Sequence, residues 1–165
     1  IPVFSFKDRI INGSLDLAID GADEIDFENN CIKGGGAALL REKIVAYNSS
    51  RFVIVADSSK AVQTLGTKFA LPVEFIPEAY VPVKLALEKL GASVVLREGV
   101  RKCGPVITDN GNQIADCLWK NPVDPVVFVD AINGITGVVE TGTYTTNKPS
   151  AFITKDDTSL EGSGL

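Results

Sequence analysis

Apolar residues occur along this chain in short runs that are separated by longer mixed segments. Residues 15–19 (LDLAI) and 51–56 (RFVIVA) are near-continuous apolar runs, which is typical of parallel strands covered on both faces. Between them, the glycines at 34–36 precede a segment, residues 37–49, that predicts a helix. A strand, helix, strand order predicts a βαβ unit with a right-handed crossover. Both strands should therefore end at the same edge of one sheet.

The predicted helix over residues 37–49 carries apolar residues on nearly all sides. They form three stripes along the helix: Leu40, Ile44 and Tyr47; Ala38 and Val45; Leu39 and Ala46. A helix that is apolar all round is usually buried. Glu42 falls between the second and third stripes, so we expect its carboxylate not to face bulk water freely.

The pattern changes near residue 71, where shorter elements begin. The predicted elements are strands at 71–76, 93–96, 106–108, 113–118 and 137–140, and helices at 79–90 and 125–133. Asn110-Gly111 predicts a hairpin turn, and Asp124 followed by Pro125 predicts the start of the second helix. The order is β-α-β-β-α-β with one extra short strand, which is typical of a small ferredoxin-like α+β domain.

The chain is therefore predicted to hold two domains. Residues 1–70 with about 141–165 form an α/β domain with a Rossmann-like parallel sheet, and residues 71–140 form the small α+β domain. The remaining predictions are an extended segment at 1–6, a polar connection at 7–14, a last strand at 150–154 and a frayed polar tail at 155–165. Because the chain opens on Ile1-Pro2 without a methionine, we expect it to be a fragment that lacks an amino-terminal part.

Composition excludes several classes of function. The 165 residues carry a net charge of −5, which argues against nucleic-acid or anionic-membrane partners, since both need a basic surface. No histidine is present, so His-dependent nucleophiles and His-ligated metal sites are excluded. No apolar run reaches the ~18 residues of a membrane span. The three cysteines, Cys31, Cys103 and Cys117, predict free thiols in a reducing, cytoplasmic compartment.

Charged and glycine residues are concentrated between residues 20 and 43. Asp20 and Asp23 follow the first predicted strand on a turn that Gly21 permits, and ligands of open α/β sheets bind beyond such strand ends. Two carboxylates three residues apart are also compatible with a helix cap, a solvated turn, or a Mg²⁺ or Ca²⁺ site. We expect the acidic stretch over residues 23–30 to be a solvated loop.

Three consecutive glycines, Gly34 to Gly36, stand between a short extended piece and the helix. Free backbone N–H groups and the helix dipole favour an anion there, although a tight turn without a ligand explains the glycines equally well. Lys33 precedes them and is interpreted either as a surface lysine or as a cation that stabilises a developing oxyanion. Lys60 follows the second predicted strand, where its ammonium could reach a phosphate.

Together these residues predict proton transfer on a polyol phosphate. Two carboxylates, a lysine, a glycine turn and a half-buried glutamate suit movement of a proton between adjacent carbons through an enediolate. Four segments carry a resemblance to a known family: DGADE (20–24), KGGGAALLREK (33–43), VADSSK (55–60) and TDNGNQIAD (108–116). They resemble ribose-5-phosphate isomerase of the A type, over residues 1 to about 139.

The resemblance implies reversible conversion of D-ribose 5-phosphate to D-ribulose 5-phosphate in the non-oxidative pentose phosphate pathway, without a metal or organic cofactor. It implies that Glu42 transfers the proton between C1 and C2. It assigns sugar binding, ring opening and enediolate stabilisation to Asp20, Asp23 and Lys33. The implied substrate contacts are Asp20, Gly21, Ala22, Asp23, Lys33, Gly34, Gly35, Gly36 and Lys60. A homodimer or homotetramer is also implied.

Two departures from the family pattern leave alternatives open. The family's Gly/Ser/Thr-rich phosphate loop has no match in this chain, and residues 141–165 do not resemble the usual closing strand. A sugar-phosphate sensor without catalysis would keep the glycine turn and would not need Glu42. An acyl-CoA transferase-like enzyme of related fold would use a glutamate as its nucleophile.

Overall fold

The computed structural model describes residues 3, 5, 15–101, 103–121, 125–154 and 160–163. Apart from residues 3 and 5, the predicted segments 1–6 and 7–14 lie outside these residues, as do the cap at Asp124 and most of the predicted tail. The strands are β1 (Ala18–Asp20), β2 (Glu24–Ile25), β3 (Cys31–Ile32), β4 (Phe52–Asp57), β5 (Leu71–Phe75), β6 (Ala92–Leu96), β7 (Gln113–Trp119), β8 (Val138–Thr141), β9 (Thr143–Tyr144), β10 (Ser150–Thr154) and β11 (Leu160–Ser163). The α-helices are α1 (Leu39–Tyr47), α2 (Tyr80–Lys89) and α3 (Pro125–Asn133).

The first sheet has the order β1-β4-β10-β11. Strands β1 and β10 both run parallel to β4, with Ile19 opposite Val53 and Ala151 opposite Ile54. The predicted parallel sheet is confirmed, and β1 and β4 both end at the edge where Asp20 and Asp57 lie. The first strand begins later than predicted, at Ala18.

The predicted frayed tail is partly wrong, because residues 160–163 form β11. This strand pairs antiparallel with β10, with Phe152 opposite Gly162. A strand at a sheet edge has unpaired backbone N–H and C=O groups, and β11 satisfies those of β10. Composition alone favours a frayed end here, because it does not show that a strand with unpaired backbone groups lies nearby.

The apolar stripes of helix α1 predicted that it would be buried on nearly all sides, and this prediction is wrong. Ile44 and Tyr47 remain 36% and 37% exposed, whereas the buried face consists of Leu39, Lys43 and Ala46. Lys43 can be buried because its ammonium is paired across to the second sheet, as described below. The side of α1 that carries Lys43 is therefore buried because a partner for its charge lies there, and not because this side is the most hydrophobic.

The acidic stretch at 23–30 is not a solvated loop throughout. It contains β2, which pairs antiparallel with β3, and β3 pairs with β9. The Glu24 carboxylate is fully buried. It accepts backbone N–H groups from Gly66 at 2.5 Å, from Phe69 at 2.7 Å and from Lys68. A buried carboxylate is tolerated where several donors replace its water, and these donors come from a segment some forty residues later.

The second sheet has the order β6-β7-β5-β8, and all of its neighbours are antiparallel. With α2 and α3 it gives the predicted β-α-β-β-α-β sequence. The apolar core of this part of the molecule includes Val73, Phe75, Leu87 and Ile132. The boundaries of the two domains stay a prediction.

Residues 106–108, all described, form no strand, so this part of the hairpin prediction is wrong. The Thr108 N–H donates to Asn112 O at 2.8 Å and closes a turn. Thr108 and Asn112 also donate side-chain hydrogen bonds to the buried Glu74 carboxylate at 2.9 and 2.8 Å. These inward bonds hold the segment as a loop, in place of ladder hydrogen bonds with β7.

Candidate active site

Lys33 lies at the centre of the site and is almost completely buried, with 4% of its side chain exposed. Its ammonium lies 2.9 Å from Asp20 Oδ2 and 3.1 Å from Glu42 Oε2. It also donates a 2.6 Å hydrogen bond to the backbone oxygen of Gly21. Lys33 is therefore not a surface lysine. It joins the end of β1 to the first turn of α1.

Glu42 lies in the first turn of α1 and is half-buried, with 29% of its side chain exposed. Its neighbours on the helix bind elsewhere: Arg41 pairs with Asp109 at 3.2 Å and Lys43 with Glu140 at 2.7 Å. The cation beside Glu42 therefore comes from outside the helix. A local ion pair within α1, the ordinary interpretation of REK in a helix, is not formed.

Asp20 and Asp23 have different partners, although they share one turn. Asp20 ends β1, and its carboxylate accepts the Gly21 N–H at 2.8 Å as well as the Lys33 ammonium. Asp23 Oδ2 accepts the N–H of Gly35 at 2.8 Å. One carboxylate thus balances the buried cation, and the other holds the glycine turn.

The glycine turn needs its glycines for two different reasons. Gly34 has φ +112°, a conformation that favours glycine, and an added Cβ would lie 3.0 Å from Leu39. At Gly35 an added Cβ would lie 2.7 Å from Asp23 Oδ1, whereas at Gly36 it would meet nothing within 4 Å. Space beside the turn is therefore open at Gly36 and closed at Gly35.

Tyr144, on β9, lies beneath the charged cluster and was not identified from the sequence. Its ring centroid lies 5.7 Å from Lys33 Nζ and 5.0 Å from Lys43 Nζ, and its hydroxyl donates to Leu39 O at 3.2 Å. Burial raises the pKa of Tyr144, and the negative charge of Glu42 raises it further. The tyrosine therefore remains a neutral ring beside two cations. No local motif identifies it, because its position depends on the pairing of β9 with β3.

The buried Lys43 supports the same cluster from the far side of α1. Its ammonium donates to Glu140 Oε1 at 2.7 Å and to Thr141 O at 2.6 Å. Burial lowers the pKa of Lys43, and the charge of Glu140 opposes this shift. This contact connects α1 to β8 of the second sheet.

A cavity of about 300 Å³ opens beside Asp20 and Glu42. Its other lining residues are Ala18, Ile19, Arg41, Val45, Ala46 and Phe52. Lys60 closes a short 3₁₀ turn after β4. The structure brings together the charged groups of Asp20, Lys33 and Glu42, and among the described residues Lys60 forms no ion pair with them.

Two further features concern metals and membranes. Within the described ranges, no group of three or more His, Cys, Asp or Glu side chains could hold a metal ion. Helices in the same residues are all too short or too polar to cross a bilayer. The cysteines Cys31, Cys103 and Cys117 are free, and the first and last of them are buried.

A family model described as Ribose 5-phosphate isomerase A (phosphoriboisomerase A) matches residues 1–158. The chain is 56% identical over 163 residues to Ribose-5-phosphate isomerase A of Treponema denticola, covering 98% of the chain and 68% of that protein. It is 51% identical to the protein of the same name in Treponema pallidum, of which it covers 64%.

A solved structure of D-ribose-5-phosphate isomerase in complex with phospho-erythronic acid is 36% identical in sequence. It superimposes with a TM-score of 0.92 over all of this chain and 70% of the other. The chain thus spans about two thirds of the length of these three proteins.

Proposed function

The chain belongs to the ribose 5-phosphate isomerase A family, and on that premise we propose that the full-length protein interconverts D-ribose 5-phosphate and D-ribulose 5-phosphate. This is an aldose–ketose isomerisation in the non-oxidative branch of the pentose phosphate pathway. The observation that carries the proposal is the buried Lys33 ammonium, held between Asp20 and Glu42 at 2.9 and 3.1 Å.

Glu42 is the proposed base. In the open-chain aldose its carboxylate removes the proton on C2, the C–H electron pair forms the C1–C2 double bond, and the carbonyl oxygen on C1 gains negative charge. In the enediolate the hydroxyl proton on the C2 oxygen passes to the C1 oxygen. Glu42 then returns its proton to C1, where the electron pair of the double bond forms the new C–H bond, and the C2 oxygen becomes the ketone while the C1 oxygen is left as a hydroxyl. Lys33 stabilises the oxygen charge, because a buried cation that is already in position needs little reorganisation.

Asp20 and Asp23 have distinct proposed roles. Asp20, already paired with Lys33, assists opening of the sugar ring together with Asp23. Asp23 also keeps the glycine turn in place through its bond to Gly35. We assign the remaining substrate contacts to Gly21, Ala22, Gly34, Gly35, Gly36 and Lys60, with Lys60 toward the phosphate.

Glu42→Gln in the full-length gene product tests the proposal, with Glu28→Gln as its matched control. Glu28 is also a glutamate, but its side chain is 79% exposed. We expect Glu42→Gln to lose about 10²- to 10⁴-fold in kcat, the usual range for a general base, and to keep its affinity for phospho-erythronic acid. Glu28→Gln should match the wild type in both.

Two outcomes would contradict this assignment. A Glu42→Gln enzyme that interconverts the two pentose phosphates at near wild-type rate would remove Glu42 from the role of base. An acyl group trapped on Glu42 after incubation with a thioester would indicate an acyl-CoA transferase-like reaction instead.

We also propose that the protein is cytoplasmic and forms a homodimer or homotetramer, with a small sugar phosphate as its substrate. Free thiols at Cys31, Cys103 and Cys117 support a reducing compartment. Light scattering on the full-length protein as it elutes from a size-exclusion column measures its mass. A monomer at micromolar concentration would contradict the proposed assembly.

A further inference from the structure

Arg97 directly follows β6 of the second sheet, yet its side chain reaches the glycine turn that follows β3. Its Nη1 donates to the backbone oxygen of Gly34 at 2.6 Å and to that of Gly35 at 3.2 Å. Its Nε and Nη2 donate to the two carboxylate oxygens of Asp116, on β7, at 2.9 and 2.5 Å. The guanidinium therefore bridges a carboxylate of one sheet and two carbonyls of the turn beside Lys33.

The backbone of Arg97 is held as firmly as its side chain. Its N–H donates to Ile114 O at 2.8 Å, and its carbonyl accepts the Val106 N–H at 2.8 Å. Only 13% of the side chain is exposed. A planar guanidinium with two parallel bonds to one carboxylate has little remaining freedom, so the direction in which it meets the turn is determined by the second sheet.

The bonds to Arg97 determine which way the peptide N–H groups of the turn point. In a trans peptide the C=O and N–H directions are opposite. The Gly34 carbonyl points to Arg97, so the Gly35 N–H points away from it, where it meets Asp23 at 2.8 Å. The Gly35 carbonyl also points to Arg97, so the Gly36 N–H is directed away as well.

The Gly36 N–H has no acceptor among the described residues. It is also next to open space, since a Cβ at Gly36 would meet nothing within 4 Å. One peptide oriented by Arg97 thus supplies the donor that holds Asp23, and the next supplies an N–H that has no acceptor among the described residues.

We propose that Arg97, held by Asp116, is a positioning residue for the isomerase site: it orients the glycine turn so that Asp23 is anchored and the Gly36 N–H is available to an oxygen of the sugar phosphate. This inference rests on the proposed function. Arg97 does not itself contact the reacting atoms, and it acts through the peptides of Gly34 and Gly35.

Steady-state kinetics on the full-length protein test the inference, with Arg97→Gln, Arg97→Lys and Asp116→Asn as variants. Lys84→Gln is the control, because among the described residues Lys84 pairs with Glu88 alone, on the surface of α2. We expect Arg97→Gln to lower kcat/KM about 10- to 100-fold, the effect of one charge-assisted hydrogen bond. Binding of phospho-erythronic acid should weaken by a similar factor, measured by calorimetry well below the melting temperature.

Arg97→Lys should recover part of this loss, since its ammonium can still reach one carbonyl. The kcat/KM of Asp116→Asn should lie between those of Arg97→Lys and Arg97→Gln. If Arg97→Gln does not fold, Arg97→Lys and Asp116→Asn carry the test. Lys84→Gln should match the wild type. Unchanged kcat/KM and probe affinity in folded Arg97 variants, with only a lower melting temperature, would overturn the inference.

A double-mutant cycle separates positioning from a second, independent contact. Because Arg97 is argued to act through the Gly35 peptide on Asp23, Arg97→Gln should cost much less in an Asp23→Asn background than alone. Losses that simply multiply would contradict the inference. Failure of the proposed function is recognised differently: the wild type itself would then lack isomerase activity.

Discussion

Gly35 is the residue of the glycine turn at which an added methyl group has least room. Its Cβ would lie 2.7 Å from Asp23 Oδ1, 3.1 Å from Oδ2 and 3.2 Å from Cγ. At neighbouring Gly36 the same methyl group would meet nothing within 4 Å, and neither glycine has a positive φ that alanine would disfavour. Gly35→Ala and Gly36→Ala are therefore a matched pair that differs in contacts alone.

The expected change in unfolding free energy has opposite signs for the two variants. In Gly35→Ala the Asp23 carboxylate must withdraw, and a shift of roughly 0.7 Å would take its hydrogen bond to the Gly35 N–H beyond normal length. Loss of such a charge-assisted bond, or overpacking if the carboxylate stays, costs about 1 to 3 kcal/mol. Gly36→Ala should instead gain about 0.4 to 1 kcal/mol, because alanine restricts the unfolded chain.

Urea unfolding of both variants beside the wild type measures these changes as shifts in midpoint at constant slope. The isomerase activity of the full-length variants can be compared in the same way. Gly35→Ala should lower kcat/KM about 10-fold or more through displacement of Asp23, since 1.36 kcal/mol corresponds to a factor of ten. Equal stability of the two alanine variants would refute the argument that the Asp23 carboxylate occupies this space.

Three further predictions concern residues outside the ion-pair cluster. Gly142→Ala places its Cβ 2.2 Å from a backbone oxygen, so we expect a loss of at least about 3 kcal/mol, seen by thermal unfolding as a lower midpoint; an unchanged midpoint would contradict it. Glu24→Gln leaves buried backbone donors without a carboxylate and should lower the free energy of unfolding in urea by about 2 to 4 kcal/mol, so a loss below about 1 kcal/mol would contradict the prediction. Burial raises the pKa of Cys31 and Cys117 to about 12, so both thiols stay protonated at pH 8 and below. A thiol reagent should therefore react with the exposed Cys103 alone in the native protein and with all three cysteines in denaturant. Reaction of more than one thiol per native chain would contradict this prediction.

The site combines residues from three sheets. Asp20 ends β1 of the first sheet, Lys33 follows β3 of the sheet formed by β2, β3 and β9, and Glu42 lies on α1. Arg97 and Glu140 approach the same segment from the second sheet. The second sheet therefore contributes to the geometry of the site, and changes there are expected to affect catalysis without touching the substrate.

Much of the fold follows from the sequence because its signals are local. Apolar runs predicted the strands that became β1 and β4, and the Asn110-Gly111 step correctly marked a turn. Consecutive glycines before a helix predicted the turn that Asp23 holds. Asp20 was singled out because ligands of open α/β sheets bind beyond strand ends, and Glu42 because it falls between two apolar stripes of the predicted helix. The structure places their carboxylates 2.9 and 3.1 Å from the Lys33 ammonium. Their chemical roles stay a prediction.

Other features depended on tertiary contacts that no local pattern records. Glu24 looked like one more acid in a polar loop, but it is buried because donors about forty residues away surround it. Ile44 looked like a core residue, but it is exposed because the ion pair of Lys43 brings a different face of α1 inward. Tyr144 and Arg97 join the site through strand pairing and a contact between the two sheets. Periodicity and turn residues report short-range preference, whereas burial of charge depends on partners that folding brings together from distant parts of the chain.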